Sequence, residues 1–73
     1  MSTMIKTVGI VTYNDIITAI HGGLGTGYAY PLTVLHVHCA RARGHKVLEC
    51  MDAKNNRILV PAGHVQNTVT VVL

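Results

Sequence analysis

The stretch Val47-Leu48-Glu49-Cys50-Met51-Asp52-Ala53-Lys54-Asn55-Asn56-Arg57-Ile58-Leu59-Val60 decides the fold. Two apolar runs flank a polar pivot, and the adjacent asparagines in Ala53-Lys54-Asn55-Asn56-Arg57 tolerate the positive φ of a tight hairpin. The pattern predicts an antiparallel pair, one strand from Val47 to about Asp52 and the other Ile58-Leu59-Val60. Downstream, Pro61-Ala62-Gly63-His64-Val65 reads as a single turn of 3₁₀ type, and Thr68 to Leu73 alternates into a last strand. Upstream, Pro31 opens a strand from Leu32 to about Ala42. Strict alternation along it puts Leu35, Val37 and Cys39 on one face and Val34, His36, His38 and Ala40 on the other. Arg41 to Lys46 then makes the turn.

Nearer the start, Met4 to Tyr13 is rich in β-branched and aromatic residues and reads as a first strand, with Gly9 marking a bulge. One segment has helical spacing instead. Ile16, Ile17 and Ile20 form an apolar stripe over Asp15 to His21, with Asn14 or Asp15 as N-cap and Gly22 as stop. Two turns of helix do not persist alone in water, so this segment is expected to plug the core by docking its Ile face. The glycines of Gly22-Gly23-Leu24-Gly25-Thr26-Gly27 then read as a loop. The expected fold class is mostly β with one short helix, a small α+β protein. It forms a single domain over residues 1–73, arranged as an antiparallel meander.

Composition bounds the function. With 49% apolar and 12% charged residues the chain folds, and without Phe or Trp its core is built from close-packed aliphatic side chains. A chain of 73 residues has little room for a preorganised catalytic pocket with a supporting shell. The residues agree with that limit. The only serine is Ser2, His38 and Cys39 are neighbours that point to opposite strand faces, and Asp15, Glu49 and Asp52 show no paired-carboxylate logic. The expectation is a binding protein, not an enzyme, with no cofactor. No run approaches the roughly 20 apolar residues of a membrane-spanning helix, and the N-terminus lacks a signal peptide's long apolar region, so a cytoplasmic protein with no membrane partner is expected. Cys39 and Cys50 are then both reduced; the minority reading is a disulfide across a hairpin that pairs them.

Three constellations carry chemistry. His36, His38, Cys39, Cys50 and His64 are metal-ligand types, but no close cysteine pair accompanies them, so strand-face and turn histidines are the favoured reading. The run His21 to Gly27 offers backbone N–H groups to an anion but lacks a phosphate-loop lysine, and a flexible connection is favoured. The cluster Arg41-Ala42-Arg43-Gly44-His45-Lys46 holds four of the chain's eleven Lys, Arg and His side chains at a hairpin end. Arg41, Arg43, His45 and Lys46 are the candidate partner contact, with Tyr28 and Tyr30 beside them if the glycine loop folds over that end. A formal charge of +3 points to an acidic partner: nucleic acid, an acidic protein surface or a nucleoprotein machine. Three tyrosines are few for a base-stacking platform.

The order strand, Asn-Asn hairpin, short strand and turn in KVLECMDAKNNRILVPAGHV resembles the second half of SH3-like barrels. That resemblance implies a partly open barrel serving as an interaction module. Across its whole length, with its MSTMIKTVGIVTY opening and basic β-rich character, the chain resembles the small regulators with which lytic bacteriophages, one of Xanthomonas among them, take over host RNA polymerase. That second resemblance implies binding to the polymerase β′ N-terminal segment and β flap. It also implies inhibition of initiation by σ displacement, and antitermination helped by elongation factor NusA near the nascent RNA, in the host bacterial cytoplasm. The alternative is a sequence-tolerant nucleic-acid-binding SH3-like module.

Overall fold

In the computed structural model, which describes residues 2–21 and 26–73, six strands form one antiparallel sheet. They are β1 (Thr3–Thr7), β2 (Ile16–Ile20), β3 (Leu32–Cys39), β4 (His45–Met51), β5 (Arg57–His64) and β6 (Thr68–Val72), with a 3₁₀ turn at Val8–Ile10. The hairpin centred on the asparagines forms as expected. Asn55 takes φ 64°, and the Asp52 carboxylate accepts the backbone N–H groups of Lys54 and Asn56, both at 2.9 Å. The sheet order is β1-β6-β2-β3-β4-β5, so only β2 to β5 is a meander; β6 returns to lie between β1 and β2.

The expected helix is a strand. Ile17 and Ile20 are both buried, three residues apart, which an unbroken strand forbids because its faces alternate every residue. A register shift between Ile17 and Ala19, opposite Val71 and Thr70 of β6, inserts one residue and returns Ile20 to the core face. A bulged strand thus imitates a helical stripe. The same device corrects the face assignment on β3. The register jumps from Val34 opposite Cys50 to His36 opposite Glu49, leaving Leu35 as the extra residue. Val34 and Val37 therefore both turn toward the core, and Val34 does not share a face with His36 and His38. A third shift lies where Lys46 pairs with Gly63 but Val47 pairs with Pro61, which makes Ala62 the extra residue. Pro61 to His64 is accordingly the end of β5 and not a 3₁₀ turn.

The 3₁₀ turn lies instead at Val8–Ile10, which ends the first strand at Thr7. Gly9 sits in this turn because the chain crosses β5's end closely: a Cβ there would stand 3.2 Å from that of Val65. Bonds from Val8 N–H to Asn67 O (2.7 Å) and Gly9 N–H to Val65 O (2.9 Å) tie the turn to the β5–β6 connection. Asn14, an expected cap, holds φ 73°, and Asp15 accepts Thr12 N–H at 3.0 Å while pairing with Lys6 Nζ at 2.8 Å. Val8, Val11, Ile17, Ile20, Leu32, Val34, Leu48, Cys50, Val60, Ala62, Val69 and Val71 form one core, aliphatic throughout but for Cys50. Among the described residues no helix is long and apolar enough to cross a membrane.

Candidate functional site: a basic corner at one end of the sheet

The β3–β4 connection places the basic cluster. Ala40 N–H donates to His45 O and His45 N–H to Ala42 O, each at 3.0 Å, closing a tight reversal with Arg41, Ala42, Arg43 and Gly44 exposed. Gly44 holds φ +77°, a conformation costly for other residues. Lys46, opposite Cys39 in the register, directs its ammonium to that exposed thiol at 3.4 Å. Arg41, Arg43, His45 and Lys46 are thus brought to one sheet end.

The corner has another member that local reading of the sequence does not mark. His64, at the end of β5, stands directly opposite His45, with ring centroids 5.5 Å apart and planes at 88°. Its Nδ1 accepts Gln66 N–H at 3.1 Å, so a neutral ring carries its proton on Nε2. That nitrogen faces the turn: a Cβ on Gly44 would lie 3.2 Å from it. Val65 N–H donates to Gly44 O at 2.8 Å and locks the two segments together. The signal for His64 lay in the strand register, which the bulge at Ala62 conceals.

Tyr28 and Tyr30 lie elsewhere, which corrects their expected place beside the basic turn. Ala53 N–H donates to Ala29 O at 2.9 Å, so the tyrosines belong to the end of the sheet with the asparagine hairpin. β3, with eight residues, separates the two ends by roughly 25 Å. The tyrosine rings meet edge to face at 6.4 Å, and Tyr30 joins Ile16, Thr18, Pro31 and Val72 around an apolar groove of about 450 Å³. Burial raises the Tyr30 hydroxyl pKa against an opposing hydrogen bond to the backbone of Ile20.

The remaining candidates are dispersed. On the outer face of β3 and β4, His38 Nε2 lies 3.0 Å from Glu49 Oε1, Arg57 Nε donates to Glu49 Oε2 at 3.4 Å, and the His36 and His38 rings are 4.4 Å apart. The His38 bond lowers the Glu49 pKa, opposed by desolvation and reinforced by the charge of Arg57. Cys50 is in the core opposite Val34, and burial pushes its thiol up to about 11; Cys39 and Cys50 do not pair. Among the described residues no three His, Cys, Asp or Glu gather as a metal set. Of the glycine run, residues 22–25 lie outside the described residues.

Fold and site together define a small antiparallel β protein with a positively charged corner at one sheet end and an apolar groove at the other. No protein-family model matches the chain, and no curated protein or solved structure matches it.

Proposed function

We propose that this chain is a non-enzymatic regulator of transcription that binds bacterial RNA polymerase at the β′ N-terminal segment and β flap. It inhibits initiation by displacing σ and promotes antitermination with NusA. The whole-chain resemblance suggests the partner. The observation that carries the reading in physical terms is the gathering of exposed Arg41 and Arg43 with half-buried His45 and Lys46 at one end of a sheet with an unpaired edge strand. A positive end suits a channel mouth from which RNA emerges. A polymerase segment in extended conformation has an edge to join at β1, where Met4, Ile5 and Leu73 are exposed, close to the apolar groove.

Immobilised protein incubated with nuclease-treated bacterial lysate tests this reading by mass spectrometry of what is retained. Polymerase subunits retained after nuclease are the expected result. Retention that disappears with nuclease replaces the reading by a nucleic-acid-binding module.

A further inference from the structure

The corner carries the whole net charge of the protein. Six Lys and Arg face three Asp and Glu. Lys6 pairs with Asp15, Arg57 pairs with Glu49, and Lys54 shares its turn with Asp52. The three cations left over are Arg41, Arg43 and Lys46, matching the formal +3. No carboxylate pairs with any of them among the described residues, and His45 and His64 add two more N–H donors at the same place.

Its surroundings select the kind of polyanion. Protein-binding patches centre on apolar or aromatic anchors within a polar rim. Among the described residues the exposed large apolar side chains are Met4, Ile5, Ile10, Tyr13, Ile16, Leu59 and Leu73, none of them in the turn or at the end of β5. An acidic protein surface would therefore meet charge without an anchor. Phosphodiesters need only charge and donors in a fixed array, and arginine matches phosphate geometry with paired N–H groups.

We infer that Arg41, Arg43, His45 and His64 form a phosphodiester-binding site that holds a nucleic-acid backbone without reading its bases, with Lys46, on the other face of β4, adding to the positive field of the same sheet end. Gly44 keeps the turn close enough for the His64 Nε2–H to face the same strand as the arginines. The inference rests on the proposed polymerase reading for one point alone, that the strand is the emerging transcript.

The test is a ¹H–¹⁵N NMR titration of the isolated protein at low salt, with a 12-nucleotide oligouridine RNA, a 12-base-pair DNA and a 12-residue polyglutamate as probes. Oligouridine is expected to shift amides of residues 40–46 and 63–66. Its affinity should fall with salt at a log–log slope of roughly −2, as expected for about three phosphate contacts on a single strand. Arg41→Ala/Arg43→Ala should weaken it about tenfold or more and His64→Gln about threefold, with the thermal midpoint of each variant measured to show that it folds. Equal use of the DNA duplex still supports a backbone site and removes any preference for RNA. Absence of shifts at millimolar RNA, shifts confined to the groove end, indifference to the arginine substitutions, or equal affinity for polyglutamate would each overturn it. Nuclease-treated polymerase capture is run on the same samples: RNA binding without capture leaves the corner standing and removes only the polymerase reading.

Discussion

The two halves of the sheet are built on different terms. In β2 to β5 each strand pairs with its neighbour in sequence, whereas β1-β6-β2 joins the two ends of the chain across the length of the protein. In the local half the β3–β4 and β4–β5 hairpins close short loops and specify their register through turn residues; the non-local half orders long loops before any contact forms and depends on packing. The basic corner sits on such a local hairpin, whereas β1 pairs with β6 as its one strand neighbour and is tied further by the Lys6–Asp15 ion pair.

The largest effect that probes the contrast is truncation in the shared core. Leu48→Ala, at a fully buried position of the local half, should cost about 2–5 kcal/mol. Urea unfolding checks it, and a loss below 1 kcal/mol would mean that β4 does not anchor both halves. Gly44→Ala should cost about 1–2 kcal/mol, because it combines positive φ with the approach of His64; thermal melting reads this as a drop of roughly 4–8 °C per kcal/mol.

A pH experiment sharpens the comparison next. The folded Cys50 thiol titrates near 11, above its ordinary value, so the folded state retains a proton that the unfolded chain releases first. Its contribution is complete below about pH 9 and is lost as pH rises toward 11. Melting scans across that window should decline, and Cys50→Ala should flatten the decline. Hydrogen exchange then compares the halves directly: β1 amides should exchange before those of β4, since an edge strand opens without breaking the meander. Equal protection would show a single cooperative unit. The smallest effect is expected for Arg57→Ala, whose pairing with Glu49 is solvent-exposed on the arginine side; urea unfolding should change by about 0.5 kcal/mol or less.

The local half was also the legible half. Asn55-Asn56 announced its hairpin and Arg41 to Lys46 announced the basic turn, because turn chemistry and charge are local properties. Ile16-Ile17-Ile20 was misread as helix because a bulge gives buried residues the spacing of a helical face. Tyr28 and Tyr30 were placed at the wrong end because the loop before them carries no register. His64 was invisible as a corner residue because its partner is fixed by a strand pairing that shifts at Ala62.

By itself the sequence determined a β-rich aliphatic domain, the positions of two hairpins and an excess of positive charge concentrated in one turn, all set by local propensity and composition. Only the tertiary structure decided that β6 enters between β1 and β2, that three bulges redirect the strands, and that among the described residues Lys6 and Arg57 find carboxylate partners while Arg41, Arg43 and Lys46 do not. Those outcomes depend on contacts between residues far apart in the chain, where register is chosen by which side chains fill the core and not by any residue's own preference.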